Sequence, residues 1–222
     1  IALLSVPTQG LVALPLGDSD TLEIGDYVVA IGNPFGLGQT VTAGIVSALG
    51  RSGLGIEGYE DFIQPDAAIN PGISGGALVD VEGRLIGINT AIIGPAGGNV
   101  GIGFAIPANM AREVADQLAR FGKVVRGQLG VAVEDHPAAM PAVSRANERP
   151  GAMVADVAAG SAAAKVGLQR GDVIIAVNGR PVAGAAQLRS RVGLVRAGET
   201  IELEFLRNGS RLRVSARIAE NT

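Results

Sequence analysis

Five short segments, "GDYVVAI" (25 to 31), "VTAGIVSAL" (41 to 49), "ALVDV" (77 to 81), "RLIGINTAI" (84 to 92) and "GIGFAI" (101 to 106), constrain this chain most. Each is β-branched, five to nine residues long, and bounded by Gly, Pro, Asn or Asp, the pattern of a strand. The turn Val81-Glu82-Gly83-Arg84 joins two of them as a hairpin, which makes neighbours antiparallel. Many short strands with Gly-rich turns and no intervening helix predict a small antiparallel barrel. The first helical pattern is "PANMAREVADQLARF". Pro107 precedes it, and Met110, Val114, Leu118 and Phe121 recur on one face.

After Gly122 the texture changes. "KVVRG" is a short basic connector, and "QLGVAVED", "GAMVADV", "DVIIAVNG", "TIELEFLRNG" and "RLRVSARI" follow as strands, interrupted by helical segments at "SAAAKVG" and from Ala185 to Val192. The expected organisation is a first domain over 1–122, a linker over 123–126, and a small α+β domain over 127–222 of ordinary domain size. The chain opens on "IALLSVPTQG", mid-strand, without a start methionine or signal-peptide pattern, and reads as a fragment.

Composition removes several classes of chemistry. The chain has no cysteine, so thiol nucleophiles, disulfides and thiolate metal sites are out. A single histidine argues against a histidine-rich metal centre. A net charge of -3 and the absence of tryptophan argue against a nucleic-acid surface. The "GLGQTVTAG" run lacks the spacing and the Lys-Ser/Thr ending of a phosphate-binding loop. No metal or other cofactor is expected.

The stretch "AINPGISGGALVD" (68 to 80) carries the chemistry. Gly72-Ile73-Ser74-Gly75-Gly76 matches G-x-S-x-G, but a hydrolase elbow needs a helix after the serine and here a strand follows. The serine loop of chymotrypsin-like barrels fits better: two backbone N–H groups, from the glycine two residues before the serine and from the serine itself, stabilise an oxyanion. A plain turn cluster is the bland alternative.

"VVAIGNPFGLGQTVTAGIVSALGR", "YEDFIQPDAAINPGISGGALVDVEGRLIGINTAI" and "GIGFAIP", in this order, resemble the second barrel of the HtrA/Deg family of trypsin-like serine proteases. The tail, with "RGQLGV" and "AAAKVGLQRGDVIIAVNGRPV", resembles a PDZ domain of the same family. The resemblance implies a mainly β fold: the second half of a chymotrypsin-like double barrel followed by a small α+β PDZ domain. It implies a serine endopeptidase of protein quality control that acts on unfolded proteins in the bacterial periplasm, without a cofactor, in a trimer-based homo-oligomer. By the same resemblance Ser74 is the nucleophile, and the N–H groups of Gly72 and Ser74 form the oxyanion hole. Ala68, Ile69, Thr90 and Ala91 line the S1 pocket; none is charged, so the P1 residue should be small to medium and apolar. For Ile69 and Ala91 the alternative is ordinary barrel core.

Two departures stand out. Family members usually carry Asn where this chain has Ile73, and without that side chain's hydrogen bonds the loop is expected to be disrupted. The family's Asp stands in a strand of the D-I-A-L-L type, whereas this chain starts at "IALL". His136 falls in the PDZ-like part, and Lys123 and Lys165, the two lysines, lie in the linker and a PDZ-like helix. A serine without a base is a poor nucleophile, so the 222-residue chain alone is expected to be inactive.

The loops 33–39, 49–61 and 92–101 are the regulatory ones by resemblance, with Arg51 as the sensor contact. The PDZ-like part is expected to bind peptide C-termini by strand addition, the carboxylate held at Gln128, Leu129 and Gly130, the peptide lying beside Val131, and Leu188, Arg189 and Val192 forming the opposite wall. The alternative function is a non-catalytic, chaperone-like peptide-binding scaffold, for which Ile73 is the argument.

Overall fold

The computed structural model describes residues 1–7, 9–56, 58–92, 101–136 and 151–220. The chain divides into two compact units, Ile1–Val124 and Val125–Thr222.

The first unit is a closed barrel of six strands: β1 (Tyr27–Gly32), β2 (Thr40–Arg51), β3 (Phe62–Pro65), β4 (Ala77–Val79), β5 (Leu85–Ile92) and β6 (Gly103–Pro107), in the order β1-β2-β3-β6-β5-β4. All neighbours are antiparallel, for example Val28 opposite Gly44 and Ile63 opposite Ala105. Alternating residues point inward and meet: Val28, Ala30, Val46, Ile63, Ala67, Ile69, Ile73, Leu78, Ile86 and Ala105 form one core. The β4–β5 hairpin is shaped by Asp80, whose carboxylate accepts the N–H groups of Glu82 (3.0 Å) and Arg84 (2.8 Å). Strand β3 was not among the five strands read from the pattern, because "FIQP" is short and ends in proline.

Helix α1 (Ala108–Phe121) follows β6 and ends at Gly122 in the left-handed conformation, φ 68°. Its first turn is anchored from far away in sequence, since Asn109 N–H donates to Ser19 Oγ at 3.1 Å. Its buried stripe differs from the one expected. Ala108, Ala111, Val114 and Gln117 face inward, while Phe121 is 57% exposed. The two alanines let the helix lie close to the barrel, and this closeness, rather than side-chain bulk, selects the face.

The second unit is a sheet in the order β13-β12-β10-β9-β8 with β11 beside β10, and a separate β14–β7 pair. Its strands are β7 (Gly127–Gln128), β8 (Val131–Asp135), β9 (Ala152–Val157), β10 (Val173–Val177), β11 (Arg180–Pro181), β12 (Thr200–Arg207), β13 (Ser210–Arg217) and β14 (Ala219–Glu220). Helices α2 (Ala162–Lys165) and α3 (Ala185–Leu194) complete it. Leu129, Val154, Ile174, Leu188, Val192, Leu203 and Phe205 sit in its core.

Among the described residues, two carboxylates are buried in this unit, Asp172 and Glu204, and both are paired. Asp172 receives Nε and a terminal nitrogen of Arg207, each at 2.7 Å, and the same guanidinium lies 5.2 Å from the Phe205 ring centre. Glu204 on β12 is held by Arg211 and Arg213 of β13. The hydrogen bond from Arg211 keeps the Glu204 carboxyl below the ordinary glutamate value, against the burial that would raise it.

A carboxyl whose pKa falls on folding stabilises the fold above its unfolded value of about 4.3, and that contribution is lost as pH drops through the lower folded value. Glu204→Gln should therefore lower the unfolding midpoint of the second unit at pH 7, and its difference from wild type should shrink in acid. Denaturant unfolding across that pH range measures this; a constant difference would show that the charge contributes nothing.

Candidate active site at the Ser74 loop

Between β3 and β4 the chain makes two successive turns. Ile73 N–H donates to Asn70 O at 3.1 Å, with Pro71 second and Gly72 third in the turn. Gly76 N–H then donates to Ile73 O at 2.9 Å, with Ser74 second and Gly75 third. Gly72 (φ 97°) and Gly75 (φ 86°) both occupy the left-handed region, which is what the third position of a type II turn requires. The sequence N-P-G-I-S-G-G thus writes two type II turns, and Ser74 stands at the outer corner of the second.

Three neighbours hold this loop. On one side β5 runs past it: Gly75 N–H donates to Asn89 O at 2.8 Å, Asn89 N–H donates to Gly76 O at 2.9 Å, and Ser74 Oγ donates to Thr90 O at 2.9 Å. On the other side Phe35 N–H donates to Pro71 O at 2.9 Å. In a trans peptide C=O and N–H point opposite ways, so this bond sets the Gly72 N–H to point away from Phe35. Phe35 adopts φ 55° to do so, an unusual conformation for a bulky residue and one that costs about 1–3 kcal/mol.

The third neighbour is the core below. Ile73 is 1% exposed and packs on the end of β1, where a Cβ at Gly32 would collide with its side chain. The loss of polar side-chain bonds expected at this position is met by main-chain bonds to Phe35 and Asn89. Among the described residues, neither Gly72 N–H nor Ser74 N–H donates to a backbone oxygen. An open depression at Ser74 is lined by residues that include Gly32, Asn33, Gln39, Gly72 and Gly76.

Of the S1 candidates, Ile69 is a core residue, 1% exposed, while Ala68 is exposed and its carbonyl accepts Thr42 Oγ1 at 2.9 Å. Thr90 presents its carbonyl to Ser74. Ala91 pairs with Phe104 across β5 and β6, and its side chain lies outside the described set. Most of the 92–101 loop also lies outside the described residues. Arg51, at the end of β2, is exposed and its Nε donates to Gln64 Oε1 of β3 at 2.8 Å.

In the second unit Leu129, Leu188 and Val192 are buried core residues, while Gln128 and Arg189 are exposed. Leu129 O accepts Ala163 N–H at 2.9 Å and Gly130 O accepts Ala158 N–H at 3.0 Å. These bonds fix the 128–130 loop just before β8. His136 closes β8, its N–H on Gly151 O at 3.1 Å.

Sequence reading missed two residues that shape the site. Asn89, fully buried in the apolar strand "GINTAI", ties strands together by donating its side-chain amide to Ala77 O at 3.0 Å and Ile31 O at 3.4 Å. An amide in an otherwise apolar strand was the available signal. Phe35 was invisible, because its contribution is a backbone N–H to a residue far along the chain.

Comparison with known proteins gives two family models: a trypsin-like peptidase domain over residues 1–88 and a PDZ domain over residues 127–218. The chain is 50% identical over its whole length to the periplasmic serine endoprotease DegP of Salmonella typhimurium and 51% identical to the periplasmic pH-dependent serine endoprotease DegQ of Escherichia coli. It spans about half of each, 47% and 49%. Among solved structures, HtrA-type protease AlgW with tripeptide is 46% identical with a TM-score of 0.70, matching 98% of this chain and 72% of that one.

Because Ile73 fills the space under the loop, Ile73→Ala should destabilise the first unit by about 2–5 kcal/mol and Ile73→Val by about 0.5–1.5 kcal/mol. Denaturant midpoints read this directly; an unchanged midpoint in both variants would mean that the side chain supports nothing.

Proposed function

Since this chain belongs to the HtrA family of trypsin-like serine endoproteases with a PDZ domain, we propose that it carries the nucleophile and oxyanion donors of such an enzyme. The carrying observation is the pair of turns that presents Ser74 while the Phe35–Pro71 bond orients the Gly72 peptide. In the reaction the Ser74 oxygen attacks a peptide carbonyl as a base removes its proton. The negative charge that develops on the carbonyl oxygen is taken by the N–H groups of Gly72 and Ser74, and the base returns the proton to the departing amine. Removing one such donor typically costs about two to three orders of magnitude in rate.

The first unit contains no histidine, and a serine needs a neighbouring base to act as a nucleophile. In this structure the Ser74 hydroxyl is bonded to a backbone carbonyl, a resting partner that cannot take its proton. We propose that the histidine that serves Ser74 is supplied from outside the first unit. Of the S1 candidates, Ala68 and Thr90 carry no charge and Thr90 presents its carbonyl to Ser74, which supports a small to medium apolar P1 residue, while Ile69 lies in the barrel core. The periplasmic location, unfolded protein substrates, trimer-based assembly and capture of peptide C-termini by the second unit extend to this chain on the same family footing. Ile73, the argument for a non-catalytic scaffold, reads as a packing residue in its buried position.

The test is covalent labelling with a fluorophosphonate. The 222-residue chain should not label above background. A chain extended N-terminally through a histidine and an aspartate should label at Ser74, and Ser74→Ala should abolish both labelling and cleavage of an unfolded, apolar-rich protein. Strong labelling of the 222-residue chain would overturn the placement of the base, and an unlabelled extended chain would overturn Ser74 as nucleophile.

A further inference from the structure

Strand β8 is the last strand of its sheet, so one edge has no strand partner among the described residues. Its two faces differ. Val131 and Val133 pack against the core, and Asp135 Oδ1 accepts Ala185 N–H at 2.7 Å, tying the far end of β8 to the start of α3. Ala132 and Glu134 point the other way, into solvent. On this outer face Ala132 stands opposite Asp156 of β9, and Glu134 stands opposite Met153. Glu134 and Asp156 are both exposed, and among the described residues neither has an ion pair. Two carboxylates without an ion pair among the described residues therefore share this face, Glu134 on the edge strand itself and Asp156 one strand further in.

We propose that this outer face gives the peptide groove a second specificity: a lysine or arginine three residues before the C-terminal residue, read by Glu134, with a weaker preference for a basic penultimate residue that reaches Asp156. The inference rests on the strand-addition reading of the second unit given above. Strand period and register then fix the rest. With the peptide carboxylate at the 128–130 loop, the C-terminal residue lies opposite Val131, the first residue of β8, and faces inward. The antiparallel partner advances one residue for each residue of β8, so the penultimate residue falls opposite Ala132 and the residue three before the end falls opposite Glu134. Both face outward.

Residues directly opposite in an antiparallel pair have Cβ atoms about 4.5–5.5 Å apart, and opposite charges there attract while like charges repel. Ala132 is too small to cover Asp156, so a long basic side chain above it can lie across the alanine toward that carboxylate. An acidic peptide residue at either place meets like charge from Glu134 or Asp156. The same carboxylates would also discourage other strands from pairing with this edge, and the selection of basic peptides is the consequence for those that do bind.

The test is a titration of the 222-residue chain with peptides ending in valine that differ only three residues before the end, as Lys, Gln or Glu, with the amidated Lys peptide as control. The Lys peptide should bind about two- to five-fold more tightly than the Gln peptide, the size expected of one exposed cross-strand charge pair, and the Glu peptide more weakly than both. Glu134→Lys, an exposed change outside the core, should reverse the order, and added salt should narrow it. Equal affinities of Lys, Gln and Glu peptides, with the amide still weaker than the free acid, would overturn this inference and leave the groove standing. An amide as tight as the acid would overturn both.

Discussion

The geometry around Ser74 depends on one backbone hydrogen bond, from Phe35 N–H to the Pro71 carbonyl. The type II turn at Asn70–Ile73 leaves its central peptide free to be turned over at modest cost, because Gly72 tolerates either arrangement. The Phe35 bond removes that freedom by engaging one end of the peptide. What the loop presents on its open side follows from this choice. The rest of the barrel supports it: Gly32 leaves room for Ile73 beneath the loop, and Asn89 fixes β5 alongside so that its main chain can hold Gly75 and Gly76. The strained φ of Phe35 is consistent with a bond that matters to the site more than to local backbone comfort.

Local signals in the sequence carried the strands with strong β-branched pattern, the Val81–Arg84 turn and the helix after Pro107. They also carried the glycines of the serine loop, whose positive φ values are a direct expression of the N-P-G and S-G-G strings. Long-range packing was not legible. Phe121 belongs to a regular apolar stripe yet is exposed, because alanines rather than large side chains bring α1 onto the barrel. Ile73 looked misplaced beside a serine, since a one-dimensional reading cannot show that the residue's side chain points into the core while its neighbours' main chain points out. Strand β3 escaped for the opposite reason: its four residues acquire strand character from β2 and β6 on either side.

The second unit solves a different problem, which is to keep an edge open without losing stability. Its interior is closed by apolar packing and by the Asp172–Arg207 and Glu204–Arg211–Arg213 clusters, so the buried charges are compensated at the side of the sheet away from β8. At the β8 side, Asp135 caps α3 across the span between strand and helix, and the 128–130 loop is pinned by the N–H groups of Ala158 and Ala163. An edge strand held firmly at both ends is suited to receive an added strand with little ordering of its own, which is how strand addition gains affinity.

On the proposed reading Gly72 and Ser74 supply the oxyanion donors, with the Gly72 peptide oriented by the Phe35–Pro71 bond. A crystal structure of the N-terminally extended protein carrying a phosphonate on Ser74 tests it most directly. The phosphonyl oxygen should lie within about 2.7–3.1 Å of both N–H groups, with the Phe35–Pro71 bond intact. A Pro71–Gly72 peptide turned over, so that the Pro71 carbonyl faces the phosphonate, would contradict it.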